Sequence, residues 1–246
     1  MQYATKLKAY PSNPTHDSVF NPLYENVYDK HPNTIQPFEN SDINLDDIAP
    51  IVIHENPPWL NPTPIFNIEL SKYKKSETNP LLIQQHFAEI RSVASEYSAI
   101  YTDGSKDGDR VASTAVFGHH VYSVRLPPAS SICSAEANDI LLALKFVASS
   151  NKSKLMIWLD SLSCLLAIEN CKTQSPFILK RVETDKSLVA IAKHVIFTWF
   201  PRHIGIHGNT VVDQEANNAL DDHVANCSIP YTDFKTFIVK YIFKRW

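Results

Sequence analysis

The chain has 246 residues, 44% of them hydrophobic and 20% charged, with a formal net charge of −3. That length fits one good-sized domain with an extension, or two small ones, and the balance is that of a soluble globular protein. No apolar run approaches the ~20 residues of a membrane-spanning helix, and the opening MQYATKLKAYPSNPT lacks the apolar core of a signal peptide. The expectation is an intracellular protein, nuclear or cytoplasmic, with no membrane partner.

Proline and glycine divide the chain into two kinds of sequence. Eleven of the sixteen prolines precede residue 81, and all five glycines follow residue 100. A stretch such as Asn56-Pro57-Pro58-Trp59-Leu60-Asn61-Pro62-Thr63-Pro64 cannot sustain a helix or a central strand, because proline lacks an N–H and restricts its predecessor. Residues 1 to about 78 therefore read as a largely irregular, partly extended segment. Its aromatics Phe20, Tyr24, Phe38, Trp59 and Phe66 allow it to pack against something. One helix is expected near 80–95: Asn79 can cap it, Pro80 suits its first position, and Leu82, Phe87, Ile90 and Ala94 recur at helical spacing.

From residue 97 the pattern becomes β, β, β, α, β, α, α, β, α. Ser98–Thr102 reads as a short strand ending at Asp103-Gly104. Val111–Phe117 and Val121–Leu126 read as a hairpin around Gly118-His119. Ser134–Ser149 reads as a helix with Ile140, Leu141, Leu144 and Val147 on one side. Leu155–Leu159 is a continuous apolar run, as in a strand covered on both faces. Ser161–Asn170 and Pro176–His194 read as helices, Val195–Phe200 as the last strand and Asn209–Asn226 as the last helix. The order implies an α/β fold, a five-stranded mixed sheet flanked by helices. The expected divisions are a connecting segment at 1–96, a domain at 97–226, and an aromatic, basic tail at 227–246. In the tail Phe234, Phe237, Tyr241 and Phe243 fall at helical spacing, and docking on the domain is the favoured reading. Charge follows the same division: 7 basic and 12 acidic residues in 1–96, 12 and 13 in 97–226, 4 and 1 in 227–246. Cys133, Cys164, Cys171 and Cys227 show no C-x-x-C spacing and read as reduced, mostly buried thiols.

Four acids fall at element ends. Asp103 ends the first strand of the domain, Glu136 lies in the first turn of its first helix, Asp160 ends the strand LMIWL, and Asp213 lies near the start of the last helix. Taken singly each has an ordinary explanation as a turn or cap residue or a complement to a helix dipole. Together they point to a site, because the carboxyl ends of adjacent strands in an α/β sheet are where sites gather. Crowded carboxylates raise one another's pKa, and a divalent ion removes that penalty. Oxygen-only ligands select Mg²⁺ or Mn²⁺, and two such ions can activate a water and steady the leaving oxygen of a phosphodiester.

The local strings then resemble a known family. Tyr101-Thr102-Asp103-Gly104-Ser105-Lys106, Ser134-Ala135-Glu136-Ala137, Trp158-Leu159-Asp160-Ser161 and Trp199-Phe200-Pro201-Arg202-His203-Ile204-Gly205-Ile206-His207-Gly208-Asn209 followed by Asp213 resemble, in order, the blocks of ribonuclease H. Their style is most similar to the domain that follows reverse transcriptase in non-LTR retrotransposons. The resemblance implies a metal-dependent endonuclease that cuts the RNA strand of RNA–DNA hybrids. Asp103, Glu136, Asp160 and Asp213 would hold two Mg²⁺ (or Mn²⁺) ions. His203 would serve as the mobile-loop histidine in proton transfer or product departure. Residues 1–96 resemble the connecting region between a retrotransposon polymerase and its ribonuclease H, which makes a reverse transcriptase in a parent polyprotein the implied partner. The sequence departs from the family at Thr210 and Val212, where glutamate and alanine are usual.

A hybrid is read by shape, phosphates and 2′-hydroxyls. Backbone N–H groups near Gly104 and Ser105 and the amide of Asn138 are the candidates for 2′-hydroxyl contacts. Lys106, Lys180, Arg181, Lys186, Lys193 and Arg202 are the candidates for phosphate, Arg202 first because it neighbours His203; Asn209 reads as a helix cap. Two other functions compete. One is a catalytically decayed module that grips duplexes without cutting; the other is a related metal nuclease acting on DNA.

Overall fold

The computed structural model describes residues 2–21, 44–51, 64–169 and 193–245. Seven α-helices and six strands lie in those residues: α1 (Gln2–Ala9), α2 (His16–Phe20), β1 (Ile65–Asn67), α3 (Pro80–Val93), β2 (Ser98–Asp107), β3 (Arg110–Phe117), β4 (His120–Leu126), α4 (Ile132–Ser149), β5 (Lys154–Leu159), α5 (Leu162–Glu169), β6 (His194–Trp199), α6 (His207–Asn218) and α7 (Phe234–Arg245). The strands form one mixed sheet in the order β1-β6-β5-β2-β3-β4. β1, β6, β5 and β2 run parallel, and β3 and β4 return antiparallel. No helix among the described residues is long and apolar enough to cross a membrane.

The apolar run of β5 faces both ways. Leu155, Ile157 and Leu159 enter a core with Ile140 and Leu144 of α4, Leu165 of α5, Ala4 of α1 and Ile238 of α7. Met156 and Trp158 point to the other side, against Ile83 of α3 and against Phe200, Ile204 and Ile206. Trp158 anchors this second layer: its ring lies 4.5 Å from Phe87 and 6.1 Å from Phe200 by centroid. β2 alternates likewise, with Ile100 in the first core and Ala99 and Tyr101 in the second.

Three expectations change. The sheet has six strands, because Ile65–Asn67, just past Pro64, adds a parallel edge to β6, with Phe66 opposite Phe197. An edge strand tolerates a proline at its entrance, since one side of its backbone needs no partner. Among its described residues the proline-rich segment also holds two short helices, α1 and α2, that were not expected there. α1 buries Ala4, Leu7 and Ala9, the Ala9 carbonyl accepts from Ile51 N at 2.6 Å, and Ala49 N donates to Ile229 O at 2.8 Å. The helical spacing of α1 was hidden because QYATKLKA carries four polar or charged residues, Gln2, Thr5, Lys6 and Lys8, among which small alanines do the packing. Finally, β2 does not stop at Thr102. It runs on to Asp107 because Gly104 and Ser105 pair with Ser113 and Ala112 of β3. Asp103 thus lies inside a strand, two residues past the point where pairing with β5 ends.

Smaller shifts occur elsewhere. α4 starts at Ile132, two residues early, because the Ser131 hydroxyl caps Ser134 N at 3.1 Å. α6 starts at His207 and stops at Asn218, with a 3-10 turn at Ala219–Asp221 in place of its expected last turns. The expected helix at Pro176–His194 falls mostly outside the described residues; of its last two, Lys193 precedes β6 and His194 opens it. In the tail, Phe234 and Ile238 are buried in the main core and Phe243 is exposed.

Candidate active site

The site begins with strand register. Tyr101 of β2 lies opposite Trp158 of β5, the last pair of that parallel ladder. Two residues further along each chain stand Asp103 and Asp160, and the two-residue alternation keeps both on the side of Tyr101 and Trp158. Trp199 at the end of β6 donates its indole N–H to Asp160 O at 2.9 Å, fixing the chain as it leaves the sheet. Both carboxylates are sheltered: the side chains of Asp103 and Asp160 are 2% and 5% exposed.

Gly104 explains how α4 reaches this edge. A Cβ built there would meet Ala135 Cβ and Glu136 N, each at 3.0 Å, so the helix touches the strand backbone itself. The Ser113 hydroxyl ties the helix down by donating to Ala135 O at 2.9 Å. Glu136 is thereby held beside the strand ends, where its Oε2 accepts from the Ser161 hydroxyl at 2.8 Å. Ser161 also accepts from Cys164 N at 3.3 Å, so one hydroxyl joins the start of α5 to the second acid.

α6 docks by a similar close approach. A Cβ at Gly208 would fall 2.3 Å from the Tyr101 ring, so only glycine lets the first turn of α6 sit on that ring. The turn brings Asp213 to the edge of the site. Asn209 is not a cap: Ile206 holds that place without a side-chain bond, and Asn209 is buried with its Oδ1 unpaired.

Between the acids lies a guanidinium. Arg202 Nη2 donates to Asp103 Oδ1 at 2.5 Å and to Gly104 O at 3.4 Å. Its Nε is 2.9 Å from Asp160 Oδ2, near enough for an ion pair though out of line for a hydrogen bond, and its Nη2 is 3.9 Å from Asp213 Oδ1. His203, the next residue, places Nδ1 3.3 Å from Asp213 Oδ2 and has a left-handed backbone, φ 56°. Such a φ is uncommon outside glycine and signals a loop conformation held by its surroundings. Two residues from before β2 hold it: Lys75 Nζ donates to Arg202 O at 2.8 Å, and Gln84 Nε2 donates to Ile204 O at 2.5 Å.

Charge and burial set the titration of the group. Burial pushes the Asp103 carboxyl up to about 8; the neighbouring Asp213 and Asp160 add to the rise, and Arg202 opposes it. Asp160 is raised first by burial, again against the pull of Arg202. The guanidinium pays desolvation, yet the carboxylates of Asp103, Asp160 and Asp213 overcome it and hold Arg202 more firmly charged than usual.

Of the residues singled out in the sequence, Asp103, Asp160, Asp213 and His203 meet around Arg202, and Glu136 joins them through Ser161 and its charge interaction with Asp160. Arg202, expected to meet phosphate, turns inward to the acids. Ser105 gives its hydroxyl to Asn217 Oδ1 at 2.6 Å, and Asn138 is half-buried on α4. Lys106 donates to Ser130 O, and Lys193 to the Ser150 and Lys152 carbonyls. Lys180, Arg181 and Lys186 lie outside the described residues. Cys133, expected to be buried, is exposed, while Cys164 is buried and its thiol raised by that burial.

A fifth carboxylate escaped the sequence reading. Asp139 is 3% exposed, leaves Oδ1 unpaired, and is raised well above the usual range by burial, with Asp103, Asp160 and Glu136 adding and a bond from Thr102 opposing. Its signal was present: an acid three residues after Glu136, on the apolar stripe of α4 beside Ile140.

The donor set is carboxylate oxygen throughout, and the buried Asp160 Oδ2 has no hydrogen bond, so these residues suit a hard divalent cation. Among the described residues no three such side chains stand ready around an ion, since the point where they meet is filled by the guanidinium.

A family model described as RNase H matches residues 95–221. No curated protein matches the chain.

Proposed function

Because this chain belongs to the RNase H family, we propose that it is a divalent-metal-dependent endonuclease that cuts the RNA strand of RNA–DNA hybrids. The observation that carries the reading is the convergence of Asp103 in β2, Asp160 at the end of β5 and Asp213 in α6 on one positive group. Three acids at a single centre need a cation there; Arg202 supplies it in the metal-free chain, and in the family's chemistry a divalent ion would take that place.

Asp103, Glu136, Asp160 and Asp213 would hold two Mg²⁺ or Mn²⁺ ions. Bound metal would supply Lewis acidity at the scissile phosphate and a water acidic enough to attack at neutral pH. The chain's own part is positional. β2 and β5 fix Asp103 and Asp160 in a dry edge, so little reorganisation remains when charge develops. Ser161 orients Glu136. His203 is largely exposed beside Asp213, where an imidazole can carry a proton between solvent and the site. Backbone amides at Gly104 and Ser105 and the amide of Asn138 would take the 2′-hydroxyls of the RNA strand.

The motif style and the proline-rich segment before the domain support an origin in a non-LTR retrotransposon, with a reverse transcriptase as the parent partner. Incubation of the full chain with labelled hybrid and Mg²⁺ tests the activity. Metal-dependent cutting that Asp160→Asn abolishes is expected, and equal products from the wild type and that variant defeat the proposal. Two features favour a second reading, a decayed module that grips duplexes without cutting: Arg202 sits among the acids, and Thr210 and Val212 replace usual family residues. That reading expects hybrid binding with no product at any metal concentration.

A further inference from the structure

We propose that Arg202 is the built-in counter-ion of the carboxylate site, and that it sets the affinity for divalent metal because it must leave before the ion can enter. The inference rests on the metal-nuclease reading above. Its ground is that one guanidinium spans three carboxylates, Asp103 at 2.5 Å, Asp160 at 2.9 Å and Asp213 at 3.9 Å; among the described residues only Asp213 has a second basic neighbour, His203 at 3.3 Å. A metal ion coordinated by the same oxygens would displace it sterically and repel it electrostatically.

The loop is built so that only the side chain has to move. Its backbone is pinned by Lys75 on Arg202 O and by Gln84 on Ile204 O. At Gly205, φ is +79°, and a Cβ there would fall 2.7 Å from Gln84 Nε2, so the loop lies directly on the α3 side chain. The Arg202 side chain is 39% exposed, while the carboxylates it contacts are 2% and 5% exposed. It therefore has a path to solvent, by rotation about its own bonds, that leaves Pro201 and Ile204 buried where they are.

The arrangement makes the metal-free and metal-bound forms two alternative ways of neutralising one cluster. A site whose competent form is only a fraction of the population binds with affinity reduced by that fraction. A neutral residue at 202 removes the competitor, yet it also strips the metal-free protein of its only described cation between Asp103 and Asp160. Affinity and metal-free stability should thus move in opposite directions, which a merely structural arginine would not cause.

The test uses the full chain, stripped of metal, and compares the wild type with Arg202→Ser and Arg202→Gln by calorimetric titration with Mg²⁺ and Mn²⁺ and by thermal melts. Both variants should bind metal about tenfold more tightly, the effect of freeing a site that is competent about a tenth of the time. Both should melt below the wild type without metal and close the gap at saturating metal. Arg202→Gln keeps most of the side chain's packing, so it serves if the serine variant does not fold. Equal or weaker metal binding in the folded variants overturns the proposal. Tighter binding with no hybrid cleavage by any of the three proteins removes the nuclease reading and leaves this one standing. Cleavage by the wild type with unchanged affinity in the variants does the reverse, and no metal binding by any of them removes both.

Discussion

The two halves of the site are built by different means. Asp103 sits on β2, Asp160 directly after β5 and Glu136 on α4, within a few residues of side chains such as Ile100 and Trp158 that are wholly buried. Arg202 and His203 sit on a loop and Asp213 is half-buried on α6, and His203 is 62% exposed. The first half gains its geometry from the sheet: register fixes where Asp103 and Asp160 stand, and Gly104 fixes how near α4 comes. The second half depends on a few polar bonds from Lys75 and Gln84. A rigid frame therefore presents the acids, and a tethered loop decides what faces them.

The largest expected effect breaks the rigid half. Asp160→Asn keeps the shape and removes one charge, and hybrid cleavage in Mg²⁺ should fall on the order of a thousandfold, as when a preorganised electrostatic group is lost. Single-turnover rates measure it. A residual rate within a few-fold of wild type would show that Asp160 does not hold metal.

The matching change in the loop should do less. His203→Ala should cost about a hundredfold at neutral pH, the low end for a proton-transfer group, and added imidazole should restore part of the rate. Loss of rate that imidazole does not restore would assign His203 to loop geometry, where its φ of 56° already gives it a part.

A third change tests how the halves are joined. Gly208→Ala puts a methyl 2.3 Å from the Tyr101 ring, which stacks near Trp158 with centroids 6.4 Å apart and cannot yield freely. Overpacking of this kind costs about 1–3 kcal/mol, read as a lower denaturant midpoint. Activity should fall with it, because α6 carries Asp213. An unchanged midpoint would mean that α6 is held elsewhere.

The same division governs what could be read without coordinates. The rigid half was legible because strand ends carry strong local signals: LMIWL is apolar on both faces, as in a covered strand, and the acid directly after it, ordinary as a helix cap when taken singly, gains meaning from the other acids at element ends. The identity of the loop residues was legible too, but the direction of Arg202 was not. Nothing in Pro201-Arg202-His203 says whether a long flexible side chain turns to solvent phosphate or inward to acids from remote segments; that depends on tethering by Lys75, 127 residues away. Asp139 was hidden for the opposite reason, since an acid on an apolar stripe is easily taken for a break in the pattern. The sixth strand was hidden because three residues, Ile65-Phe66-Asn67, are too few to show any period.

The smallest expected effect concerns the charge of Asp103 in the rigid half, in protein stripped of metal. Burial lifts Asp103 from the usual value of 3.8 to about 8, so the folded chain keeps its proton where the unfolded chain has lost it. Between about pH 4 and pH 8 the folded state then binds more protons than the unfolded state, and stability must fall as pH rises across that window. The contribution is fully present below the lower value and lost through the upper one. Melts in chelator from pH 5 to 8 should show the decline, and Asp103→Asn, which has no proton to lose there, should shallow it. Arg202→Ser should steepen it, because the guanidinium opposes the rise. Saturating Mg²⁺ should flatten it in the wild type, since a bound divalent ion stabilises the ionised carboxylate that burial otherwise disfavours. If Asp103→Asn leaves the slope as it was, the strand ends are wetter than their burial implies, and the loop rather than the sheet controls the charge of the site.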